Sequence, residues 1–160
     1  MKRLLVAAAL AALPLASAPA QQPPLGARAA QAIVAGCAQH ATGRSQSHAI
    51  AVVDGGGQLL AALRMDGNGY GIMDFALAKA RAAAAWGFAT ARMAEAARET
   101  PGFGAAPHVV TVAGGVPVFS ADGRDRLGAV GVSGEAPADD AACAEAGIAA
   151  AGLRSRPRSN

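Results

Sequence analysis

Aromatic side chains are scarce in this 160-residue chain, which has one Trp, one Tyr and four Phe. Surfaces that stack on nucleic-acid bases need more of them. An excess of charge is lacking too. The formal net charge is +3, but Lys2 and Arg3 open the chain and Arg154, Arg156 and Arg158 close it. The body between them carries nine basic residues against eleven acidic ones. No basic stripe remains, so nucleic acid is excluded as a partner. After the N-terminus no apolar run reaches eighteen residues, which leaves no membrane span. The three histidines, His40, His48 and His108, form no His-x-x-x-His pair, and no Cys or carboxylate stands at ligand spacing. A structural zinc site is therefore not expected. A Walker motif is missing, as is a Gly-x-Gly-x-x-Gly turn in a βαβ setting, so nucleotide-dependent chemistry has no support. The stretch Gly131-Val132-Ser133-Gly134 is followed by Glu135, which breaks the five-residue nucleophile elbow and argues against a hydrolase.

Residues 1–20 read as a signal peptide. Lys2 and Arg3 make the basic region, Leu4–Leu15 the apolar region, and Ala18-Pro19-Ala20 a small-x-small cleavage site. A twin-Arg pair is absent, which points to Sec-type export to the periplasm or beyond the cell. Residues 21–26 form a short Pro-rich leader, and about 130 residues (27–153) make a single domain. The basic tail 154–160 is expected to be disordered. Cys37 and Cys143 are the only cysteines, and one falls in the first helical pattern and one in the last. In an oxidising compartment they either form a disulfide or lie as buried free thiols among small residues.

Periodicity places a helix over Ala27–Ala41, where Ala30, Ile33, Val34, Cys37 and Ala41 recur every three or four residues. Strands follow at His48–Val53 and Gln58–Met65, joined by Asp54-Gly55-Gly56-Gly57 in a hairpin. A long Ala-rich helix is expected from an N-cap at Asp74 to about Ala91, then a short one over Ala91–Arg98. Val109–Val112 reads as a short strand, and Val116–Ser120 and Arg126–Val132 as a second hairpin around Asp122-Gly123. Pro137, Asp139 and Asp140 start the last helix, with acidic residues suited to its dipole, and it ends near Gly152. Two hairpins between helices give an α+β fold, a mainly antiparallel sheet of about five strands flanked by helices.

Lys79 is the only lysine after Lys2 in a chain otherwise furnished with arginine. Where coding favours arginine, a retained lysine marks a place that a guanidinium will not fill. Lys79 is a pocket cation facing a carboxylate, a catalytic amine, or half of a buried ion pair with Asp66 or Asp54. Strand two ends in Arg64-Met65-Asp66-Gly67, and the loop continues flexibly through Asn68-Gly69-Tyr70. Arg64 suits a bidentate carboxylate clamp, or else lies solvated at a strand edge. Met65 is a soft metal ligand or a core plug. Tyr70 is a phenolate donor, and His108 is the histidine best placed as a lone ligand, with an exposed loop residue as its alternative. His40 stands near a helix end, where it suits the final carbonyls. Gly114-Gly115-Val116-Pro117 lets a flat ligand approach the backbone, or simply turns tightly into a strand. Ser133 and Gly134 offer hydroxyl and amide donors to an anion.

Arg64-Met65-Asp66-Gly67, Lys79-Ala80 in the central helix, Gly114-Gly115-Val116-Pro117 and Gly131-Val132-Ser133-Gly134 together resemble the GlcG/HbpS-like haem-binding and haem-degrading family. The resemblance runs from about Ala27 to Leu153. It implies a profilin-like or roadblock-like sandwich that forms homodimers or larger homo-oligomers. It also implies haem as the ligand, with a corrinoid as the alternative. Function then reads as exported tetrapyrrole binding for scavenging, buffering or sensing. An alternative is an enzyme on a small oxo- or hydroxy-acid, with Lys79 or Asp66 as acid-base and Arg64 holding the substrate carboxylate. A ligand-free assembly module is the third reading.

Overall fold

A computed structural model describes residues 24–159. The expected signal peptide and the first half of the leader, residues 21–23, lie outside these residues. Four helices, α1 (Ala27–Thr42), α2 (Tyr70–Trp86), α3 (Thr90–Glu99) and α4 (Pro137–Ala150), surround a four-stranded antiparallel sheet. Its strands are β1 (Ala49–Asp54), β2 (Leu59–Arg64), β3 (Gly115–Phe119) and β4 (Arg126–Ser133), in the order β2-β1-β4-β3.

The sheet is buried on both faces by alternation along its strands. Ile50, Val52, Val130 and Val132 face α1 and α4, where they meet Ile33, Cys37, Cys143 and Ile148. Ala49, Ala51, Val53 and Ala129 face α2 and its Ala76, Ala80, Ala83 and Ala84. The second interface is made of small residues, so α2 lies nearly on the sheet backbone. Gly131 shows how near: a Cβ there would stand 1.9 Å from the Ala76 carbonyl oxygen. On the other face the terminal helices pack together, and Cys37 and Cys143 are joined in a disulfide between them.

Several boundaries differ from the sequence expectation. The strand expected at Val109–Val112 does not form, which leaves four strands rather than five. Val110 instead borders a groove with Asp74, Leu77 and Ala78 of α2, and Gly114, at φ 120°, turns the chain into β3 only afterwards. Asp74 does not cap α2. The helix begins one turn earlier, with Gly69 at its N-cap and no side-chain cap. It also ends before Ala91, because Gly87 adopts the left-handed conformation (φ 78°) and its amide closes on the Ala83 carbonyl. Chain direction is then reset before α3. The C-terminal tail is also not structureless. Arg154 pairs with Phe119 on the outer edge of β3, and the Arg158 amide donates to the Gly123 carbonyl at 2.9 Å.

Candidate functional site

The antiparallel register collects the distinctive segments at one end of the sheet. Ala49 at the start of β1 stands opposite Arg64 on one side and Ser133 on the other, and Gly115 stands opposite Gly131. The N-terminus of α4 lies at this end, since only Gly134, Glu135 and Ala136 connect it to β4.

A buried ion pair sits here. Lys79 reaches from α2 past the end of β4, and its Nζ donates to Asp140 Oδ2 and to the Val132 carbonyl, each at 2.9 Å. The Phe75 ring covers the ammonium, its centroid 4.8 Å away. The other carboxylate oxygen, Asp140 Oδ1, lies 3.1 Å from His48 Nδ1 and accepts from the Glu135 amide at 3.2 Å. Lys79, Asp140 and His48 are at most 2% exposed. A carboxylate accepting from His48 puts the proton on Nδ1. His48 Nε2 is buried with no hydrogen-bond partner among the described residues. The ion-pair partner of Lys79 is therefore Asp140, not Asp66 or Asp54. Asp54 instead accepts the amides of Gly56 and Gln58 in the β1–β2 turn.

Directly in front of this pair runs Gly114-Gly115. A Cβ at Gly114 would lie 2.9 Å from Lys79 Nζ, and one at Gly115 would lie 2.4 Å from the Lys79 carbonyl oxygen. The glycines are thus required from behind, by α2. Their other side borders a cleft of about 550 Å³, within the range of small-molecule sites. Gly114–Pro117 and Phe119 form its floor, Gly87–Ala89 and Arg92 one wall, and Ala141 and Glu145 of α4 another. The tail residues Ser155, Arg156 and Pro157 complete it. The lining is mainly apolar, with two guanidinium groups and one carboxylate.

Of the residues singled out from sequence, Gly114 and Gly115 line this cleft and Lys79 lies behind its floor. Ser133 is buried at the same end of the sheet, and Gly134, exposed, packs against Ser47 and Asn68. Arg64, Met65, Asp66 and Tyr70 lie at the far edge, with β1 and β4 between β2 and β3. There Arg64 donates to the Asn68 carbonyl, and the Asp66 carbonyl accepts from Ser47 Oγ. Met65 packs on the core, its sulfur receiving the His48 amide at 3.5 Å. Tyr70 is 85% exposed at the start of α2. His108, at φ 60°, borders a shallow groove with Gly55–Gln58 and Arg81 that shares no residue with the cleft. No helix among the described residues is long and apolar enough to cross a membrane, and no cluster of possible metal ligands occurs among them.

Sequence reasoning passed over Asp140, His48 and Arg156. Asp140 reads as a helix-dipole residue, His48 as the first residue of a strand, and Arg156 as part of a disordered tail. Only the low polarity around His48 in His48-Ala49-Ile50-Ala51 hinted that this histidine is buried.

Comparison with known proteins gives a consistent set of likenesses. The family described as haem degrading protein HbpS-like matches residues 25–149. A double mutant of Streptomyces reticuli HbpS is 30% identical, with 88% of this chain and 97% of that chain covered and a TM-score of 0.74. A Klebsiella pneumoniae protein, ORFY, is 27% identical over 85% of this chain and 97% of that one, with a TM-score of 0.75. PduOC, solved as a complex with haem, is 22% identical over 84% and 99%, with a TM-score of 0.76, a likeness of fold. No curated protein matches.

Proposed function

The chain belongs to the HbpS-like family of haem degrading proteins, and from that premise we propose that it is an exported haem-binding protein whose ligand lies in the cleft over Gly114–Pro117. The observation that carries this reading is the composition of that cleft. Its floor and walls are backbone glycine, Phe88, Val116, Pro117 and Phe119, and its rim holds Arg92 and Arg156. Bound haem supplies a flat apolar face, two carboxylates on one edge and a redox-active iron. The lining suits the face and the carboxylates. Among the described residues it holds no histidine, methionine, cysteine or tyrosine, so it does not suit an axial iron bond.

Binding rather than turnover is therefore the proposed role, in scavenging, buffering or sensing. Opening a tetrapyrrole ring consumes an oxidant and electrons. Both cysteines, the chain's only thiol source, are tied in a disulfide. The rival reading, an enzyme on a small oxo- or hydroxy-acid, takes Lys79 or Asp66 as its acid-base. Asp66 follows β2 at the sheet edge opposite the cleft, and the Lys79 ammonium is committed to Asp140 and Val132 behind the glycines.

Export rests on Lys2, Arg3 and Leu4–Leu15, together with a disulfide typical of oxidising compartments. The mature protein should begin at Gln21, and N-terminal sequencing that finds Met1 would overturn this part. Self-association through β2 is also proposed. Its outer edge is unpaired among the described residues, and Leu59 and Leu63 are 51% and 37% exposed along it.

Haemin titration of the mature protein tests the main reading. The expected result is a saturable Soret shift at about one haem per chain, with a Kd of about 1 μM or tighter. A titration indistinguishable from that of an unrelated protein would reject it.

A further inference from the structure

The tail beyond Leu153, Arg-Ser-Arg-Pro-Arg-Ser-Asn, has no large apolar side chain to bury. Composition alone predicts that it should leave the surface. It is nevertheless fastened at two points by backbone hydrogen bonds. The Phe119 amide donates to the Arg154 carbonyl at 2.7 Å and the Arg154 amide returns to the Phe119 carbonyl at 3.1 Å. Four residues on, the Arg158 amide is held by Gly123. Pro157, between the anchors, restricts the span further. What this fastening achieves is to hold Ser155, Arg156 and Pro157 against the cleft.

Arg156 is exposed and makes no hydrogen bond or ion pair among the described residues. The other guanidinium on the rim, Arg92, is already paired with Glu95 one turn along α3. Glu145 is the sole carboxylate on the lining. A free guanidinium beside an apolar slot recognises a planar hydrophobic molecule that ends in a carboxylate.

We infer that Arg156, presented by the fastened C-terminal strap, binds a carboxylate of the ligand and makes the cleft selective for tetrapyrroles with free acid side chains. This inference rests on the haem reading of the same cleft. The test compares haemin with haemin dimethyl ester, which keeps the ring and iron and lacks the two acids. Four proteins are titrated: the mature chain, Arg156→Gln, a chain ending at Leu153, and Arg28→Gln on the exposed start of α1 as a control for charge. The mature chain and the control should prefer haemin over its ester. Arg156→Gln should bind haemin about tenfold more weakly and the ester unchanged, with no change in thermal midpoint because Arg156 has no partner to lose. Truncation should lose the preference for the acid in the same way. If Arg156→Gln retains the full preference, the strap is not the carboxylate site and the inference falls while haem binding stands. If the mature chain binds neither compound, the haem reading and the inference fall together.

Discussion

At the residue scale the decisive group is Lys79. An ammonium removed from water costs several kcal/mol unless its charge and donors are matched. Asp140, the Val132 carbonyl and the Phe75 ring supply that match. Removing one partner leaves the other charge buried and alone. Lys79→Met should therefore cost about 3–5 kcal/mol, measured by urea unfolding. Lys79→Arg should also destabilise, because a wider guanidinium must fit behind Gly114 and Gly115. A loss below about 1 kcal/mol for Lys79→Met would contradict the buried-pair account. The importance of this lysine was legible in the sequence, since it stands alone among arginines. Its partner was not, because Asp140 is 61 residues away and is equally at home at a helix start. In the sequence Met65 and Arg64 each have a ligand reading and a structural one. Only tertiary packing shows Met65 on the core and Arg64 bound to its own loop.

At the element scale, the hairpins and the terminal helices follow from patterns of two and 3.6 residues, and their observed limits fall within a few residues of the expected ones. The misjudged boundaries share a physical cause. Asp74 resembles a cap, but α2 gains an extra turn N-terminal to it. Val109–Val112 has strand-forming residues but does not pair with the sheet, and on the β3 side the tail already pairs with Phe119. Propensity is weaker than the availability of a partner. The contact between α2 and the sheet is the most exacting one. Gly131→Ala places a Cβ 1.9 Å from the Ala76 carbonyl oxygen and 2.4 Å from the Ala80 amide nitrogen. Backbone has to move, so the variant should lose at least about 3 kcal/mol in a denaturant melt. A near-neutral result would mean that α2 stands farther from the sheet than described.

At the scale of the whole molecule, the chain is closed on itself between α1 and α4. The disulfide spans a sequence separation of 106 residues, which the chain-entropy view rates at about 4–5 kcal/mol. Reduction, or Cys37→Ala with Cys143→Ala, should lower the thermal midpoint by roughly 10–20 °C. An unchanged midpoint in calorimetry would show that packing of the terminal helices suffices. The β2 edge sets the expectation for assembly. Leu59→Asp with Leu63→Asp should shift the protein toward monomer in sedimentation velocity, and an unaltered oligomer would place the interface elsewhere.

The account centres on the cleft over Gly114–Pro117, and one measurement tests that location. Ala91 lines the cleft, is exposed, and belongs to neither core cluster, so Ala91→Trp fills the space with the fold intact. Haemin titrated into this variant beside the mature chain should show binding weakened at least about tenfold, with unchanged circular dichroism and thermal midpoint. Haemin binding as tight as that of the mature chain, in a folded Ala91→Trp protein, would place the ligand elsewhere and contradict the account.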